Sequence, residues 1–131
     1  MVVFVTGLNT VPVCASMETF ENHIRKYGPE GAVAQYRTLN QLKTASLWVA
    51  NVLKGTDTVS LAIASNEVLA VYEVPNPASS SQWLVAGLDP KKGTIVWKRE
   101  LPCRALPGGL LVTRDGQVVV TLENGGTVCF G

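Results

Sequence analysis

Between Ser16 and Gly55 apolar residues recur every three or four positions, whereas from Val59 onward they alternate or run in short blocks bounded by turns. The first rhythm is helical and the second belongs to strands. Ahead of both, Val2-Val3-Phe4-Val5-Thr6 is a β-branched run that predicts a buried strand, with a neighbour needed for its backbone groups. Leu8 to Ala15, broken by Asn9 and Pro12, reads as irregular. Ser16 can N-cap a helix that carries Glu18 in its first turn, with Phe20, Ile24 and Tyr27 as its apolar stripe and Gly28 as its stop. Pro29 and Glu30 open a second helix. Its stripe is Ala32, Tyr36, Leu39, Leu42, Ser46, Val49 and Leu53, and Gly55 follows as a C-cap. Residues 44 to 53 also have strand composition, but the continuity of the stripe and the closing glycine favour helix.

The second rhythm predicts a meander. Val59, Leu61 and Ile63 alternate with small residues, Ser65-Asn66 turns the chain, and Val68 to Val74 returns. After a polar loop from Pro75 to Ser81, Trp83 to Gly87 and Ile95 to Trp97 form a hairpin around Asp89-Pro90-Lys91-Lys92-Gly93. Asp89 suits the first turn position, Pro90 pre-sets φ, and Gly93 supplies a left-handed residue. A loop through Pro107-Gly108-Gly109 leads to two further hairpins, with turns at Arg114-Asp115-Gly116 and Glu123-Asn124-Gly125-Gly126.

Leu61 to Val71 can be laid over Leu110 to Val120, about fifty residues on, an offset at which structural repeats occur. Strand, Leu88-Asp89, turn, Gly93, strand, Trp97, then Leu101-Pro102 resembles the pyrroloquinoline-quinone (PQQ)-type β-propeller repeat, in the form Ala-Leu-Asp-x-x-Thr-Gly-x-x-x-Trp. Lys92 stands where that pattern prefers Thr. The resemblance covers residues 58 to 131, one full and one partial repeat. It implies a mainly-β chain with an N-terminal helical segment: a partial propeller of about two antiparallel blades plus one or two helices. Residues 1–57 would hold the first strand and a helical insertion, and residues 58–131 the blades. It also makes Asp89, Gly93, Trp97, Gly116 and Gly125 the repeat signature, with Trp97 docking between blades.

Composition narrows the function. With 131 residues, 47% hydrophobic and 16% charged, the chain is long and apolar enough to bury a core. A net charge of +1 gives no case for nucleic acid, and no apolar run is long enough for a transmembrane helix. Cys14, Cys103 and Cys129 are too scattered for metal spacing and read as small semi-buried hydrophobes. Val13-Cys14-Ala15 lacks the basic region of a secretory leader ahead of it. His23, the only histidine, reads as a solvated side chain on a polar helix face, so no Ser-His-Asp or Cys-His set is expected around it, and a multi-histidine metal site is ruled out. Asp89 belongs to its turn, Gly108-Gly109 and Gly125-Gly126 precede no phosphate-binding helix, and Trp48, Trp83 and Trp97 read as packing residues.

A quinone enzyme of the family would need a vicinal cysteine pair and Glu, Asn and Asp on calcium, and the chain has no adjacent cysteines. The expectation is therefore a repeat module without catalysis and without a cofactor, which binds a protein partner or acts as a scaffold. Its candidate partner loops are Pro75 to Ser81, with Asn76 and Ser80, and Cys103 to Gly109, with Arg104 and Leu106. Propellers close with roughly four to eight blades. The chain is accordingly expected to be part of a longer propeller or a homo-oligomer that completes a ring. A fragment of a quinoprotein dehydrogenase is the competing reading. By resemblance the setting is periplasmic or extracytoplasmic.

Overall fold

Strand sequences that are apolar on both faces need cover on both faces, and the fold supplies it by stacking three antiparallel sheets. A computed structural model describes residues 1–5, 11–37, 41 and 45–131. The N-terminal sheet has the order β1 (Val2–Val5), β2 (Pro12–Ala15) and β3 (Trp48–Val49). The central sheet is the meander β4 (Asp57–Ile63), β5 (Val68–Val74), β6 (Gln82–Leu88) and β7 (Ile95–Glu100). The C-terminal sheet joins β8 (Ala105–Val112), β9 (Val118–Leu122) and β10 (Thr127–Phe130). The protein is thus mainly β with a helix, α1 (Met17–Ala34), inserted between β2 and β3 of one sheet.

The period-two alternation of β5 and β6 decides the stacking order. Val68, Ala70 and Tyr72, paired with Leu88, Ala86 and Leu84, face the N-terminal sheet and pack on Val11, Cys14, Trp48, Ala50 and Leu53. Their neighbours Leu69, Val71, Trp83 and Val85 face the other way, onto Ala105, Val118, Val120 and Leu122. The first of these clusters joins residues on both sides of position 57. A third covers the outside of the N-terminal sheet, where Val13 and Ala15 meet Tyr36, Phe4 and Phe20.

Several local expectations hold. Ser16 caps α1, its Oγ accepting the Thr19 N–H at 3.1 Å. Gly28, at φ 77° and ψ 172°, breaks the helix into two parts, and Pro29 opens the second. Others are overturned. The second helix does not run to residue 53: α1 ends at Ala34, and Trp48–Val49 is a strand followed by a 3-10 turn at Asn51–Leu53. Pairing won over periodicity there, because Trp48 faces Cys14 in the β2 register and Ala50 N–H reaches the Pro12 carbonyl at 2.9 Å. Leu39 and Leu42 of the expected stripe lie outside the described residues, and Gly55 (φ 85°) closes the 3-10 turn. Nor is the stretch up to Ala15 irregular throughout, since Pro12 to Ala15 form a fully buried strand; Leu8, Asn9 and Thr10 lie outside the described residues. Pro12 is tolerated because it is the first strand residue.

The alternation proposed for Val59, Leu61 and Ile63 is also broken, by a bulge between Thr58 and Ser60. Val59 packs toward the C-terminal sheet, Leu61 toward the N-terminal one, and Ile63 is 52% exposed. Ser60 is buried instead, and its Oγ accepts the Gly108 N–H at 2.8 Å. His23 is not merely solvated: its Nδ1 lies 3.4 Å from the Tyr36 hydroxyl and its ring is edge-on to Tyr36. The cysteines differ among themselves, Cys14 being buried, Cys103 half-buried and Cys129 exposed.

Burial of Cys14 raises its thiol above the ordinary value of 9.0, with the Met1 ammonium pulling the other way. Burial likewise raises Tyr36 and Tyr72 above 10.0. The unfolded chain therefore releases these protons first, so their contribution is whole below about pH 9 and declines as pH rises. Denaturant titrations from pH 7 to 10.5 are expected to show a falling midpoint above pH 9, and Cys14→Ala should remove the earliest part of the fall. A midpoint that stays flat to pH 10.5 would contradict the burial of all three groups.

Candidate functional site

Strand direction sorts the connections to two ends of the stack. The β4–β5, β6–β7 and β8–β9 turns lie at one end, with the end of β10. The β5–β6 loop, the β7–β8 link and the β9–β10 turn lie at the other.

At this second end the two expected partner loops converge. Ser80 and Ser81 from the first, and Pro102, Cys103 and Arg104 from the second, line a groove of about 460 Å³ with Glu73 and Trp83. Trp83 is buried at its base, and its carbonyl accepts the Leu101 N–H at 2.8 Å, which ties the second loop to β6. The Arg104 guanidinium lies over the Trp83 ring, 5.6 Å from its centroid. Arg104 Nε is also 3.7 Å from Glu123 Oε2, an exposed pair that contributes little to stability. The Arg104 carbonyl accepts the Glu123 N–H at 2.8 Å, so the β9–β10 turn braces the loop. The groove therefore offers a desolvated indole under a cation, two hydroxyls and a carboxylate.

Not every expected loop residue belongs to it. Asn76 is a turn-maker, its Oδ1 accepting the Ala78 N–H at 3.0 Å and its carbonyl the Ser79 N–H at 3.3 Å. Leu106 is 41% exposed and lies on β8, because the strand begins at Ala105 and residues 106 to 109 form a bulge within it. The second loop is thus shorter than the Cys103 to Gly109 expected. Trp83, Glu73 and Glu123 were not singled out as site residues. For Trp83, its place at the start of a strand directly after the Pro- and Ser-rich loop was the usable signal.

The residues expected to form a repeat signature sit mostly at the opposite end. Asp89 Oδ1 accepts the Lys91 and Lys92 N–H groups at 2.7 and 3.0 Å, and its carbonyl accepts Gly93 N–H at 2.8 Å. Gly93, Gly116 and Gly125 have φ of 71°, 84° and 86°. Onto the Asp89–Gly93 turn comes Trp48, from the neighbouring sheet, whose Nε1 donates to the Pro90 carbonyl at 2.8 Å. Trp97 does something else: it lies over Gly87 of its own sheet, donates to Glu67 Oε2 at 2.8 Å, and stands 6.4 Å from the Phe130 ring of the C-terminal sheet.

Among the described residues no three His, Cys, Asp or Glu side chains gather as metal ligands, and no helix is long and apolar enough to cross a membrane. No family model matches the chain, and no curated protein and no solved structure matches it either.

Proposed function

We propose that the chain is a non-catalytic repeat module of the β-propeller type, in which the groove between the β5–β6 and β7–β8 loops binds a protein partner. The observation that carries this reading is the convergence of Ser80 and Arg104, from loops more than twenty residues apart in sequence, on one groove over the Trp83 ring. Rigid strands on both sides hold these loops, the arrangement by which β scaffolds present binding residues. An aromatic ring, an arginine and short hydroxyls suit a peptide better than a small apolar ligand. The propeller reading draws support from the face-to-face stacking of consecutive antiparallel sheets and from the turn chemistry of Asp89 and Gly93.

A photo-crosslinking residue placed at Ser80 in cells tests the binding role. It is expected to give a discrete adduct that is lost in Arg104→Glu and absent when the same residue replaces exposed Lys26 on α1. The reading fails if Ser80 gives no adduct, or gives the same adducts as position 26.

A further inference from the structure

At the end of the stack opposite the Arg104 rim, a groove of about 580 Å³ lies between the central and C-terminal sheets, and its lining includes Glu67, Trp97, Arg99, Gly116 and Phe130. We propose that it binds a small zwitterion that joins a quaternary ammonium to an anionic group, as phosphocholine and glycine betaine do.

The cationic end follows from two rings and a carboxylate that have no cation of their own. Trp97 on β7 and Phe130 on β10 stand with centroids 6.4 Å apart and planes at 46°, both half-buried and both on the groove. Rings at this spacing can share one ammonium, because a cation within about 6 Å of a ring centroid is attracted to its face. Glu67, half-buried just before β5, lies against the same indole, its Oε2 accepting the Trp97 N–H at 2.8 Å. Gly87 backs this pair, since a Cβ there would collide with both the indole and the carboxylate. Among the described residues no cation pairs with Glu67 or lies over either ring. The groove also has room. Beyond its chain neighbours, a Cβ added to Gly116 would meet nothing within 4 Å, so the β8–β9 turn walls the groove without filling it.

Two further features narrow the ligand. Arg99 is exposed on the same groove, its Nη1 donating to the Lys98 carbonyl at 2.9 Å. Its charge opposes a bare cation and favours one that brings its own anion. A primary ammonium would need acceptors for three N–H groups, and Glu67 Oε2 is already engaged by the indole. A nitrogen that carries only alkyl groups has no such need and presents its charge to the rings and the carboxylate alone. This site is separate from the rim groove at Arg104, and either can fail without the other.

The probe is phosphocholine, titrated into the full chain by calorimetry while the Trp97 indole N–H resonance is followed. Saturation at about 1 mM or below is expected, with a shift of this resonance and none of that of Trp48. The isostere with carbon in place of the quaternary nitrogen keeps the shape and loses the charge, and should bind at least about fivefold more weakly. Glu67→Gln keeps an acceptor for the indole and should weaken phosphocholine binding severalfold. Arg99→Gln, an exposed change, should weaken phosphocholine binding severalfold but not that of choline, which has no anion. The proposal is overturned if phosphocholine does not saturate below about 10 mM, if the uncharged isostere binds equally well, or if the Trp97 resonance stays in place. It is also overturned if both variants bind as wild type. Phosphatidylcholine vesicles distinguish the source: cosedimentation with them identifies a lipid headgroup, and binding of free phosphocholine without cosedimentation identifies a soluble zwitterion.

Discussion

Gly93→Ala is expected to destabilise the fold by about 3 kcal/mol, far more than a surface glycine change. About 1–2 kcal/mol of this is the cost of a left-handed backbone for a residue with a Cβ. The rest comes from the collision with Trp48, which would have to leave both its seat and its hydrogen bond to Pro90. The two parts can be separated. In a Trp48→Ala background, itself costing about 3–5 kcal/mol, the same glycine change should cost only the backbone part. The double-mutant cycle should thus show a coupling of about 1–2 kcal/mol, read from chemical denaturation midpoints. Additive losses would mean that Trp48 and the turn do not hold each other.

Tyr36→Ala should have a comparable effect by a different route. Tyr36 is fully buried and is the aromatic residue that pins the end of α1 to the N-terminal sheet, with Phe4 edge-on at 4.9 Å and Phe20 at 6.2 Å. Removing it opens a cavity against Val13 and Ala15, and such aromatic truncations cost about 3–5 kcal/mol. Tyr36→Phe keeps the ring and loses only a long contact to His23, so it should cost under about 1 kcal/mol. Hydrogen exchange gives a second readout: in Tyr36→Ala, protection should fall first in α1 and β1, while β5 and β6 keep theirs. Uniform loss across all three sheets would show that the helix is not a separable layer.

The central sheet could be read from sequence because both faces of β5 and β6 are apolar and their turns are chemically explicit at Asp89, Pro90 and Gly93. The β8–β9 and β9–β10 hairpins were legible for the same reason, through Gly116 and Gly125. What failed was local pattern overruled by pairing. Ser46 to Leu53 continues a helical stripe, yet Trp48 gains more as a strand residue opposite Cys14 and as a lid on a turn forty residues away. Nothing near Trp48 announces that contact, since its partners, Pro90 and Gly93, are defined only once the central hairpin exists. The same holds for the bulge at Thr58/Ser60, which becomes necessary when Ser60 must meet Gly108. The rim groove was half legible. Loop composition pointed to Ser80 and Arg104, but the ring beneath them was hidden as an ordinary strand tryptophan.

The two outer surfaces of the stack are finished differently. The N-terminal sheet lies under α1, whereas on the C-terminal sheet Leu111, Val119 and Cys129 stand in register across three strands, with Leu111 52% exposed and Cys129 exposed. The assembly is therefore polar in the sense of a rod with one sealed tip. Copies that met through the open tip would exhaust it in a single symmetric pairing, because neither would retain a second bare surface of that kind for propagation. The inserted helix covers the Val13 and Ala15 face, so a variant stripped of it would bare apolar surface at both tips.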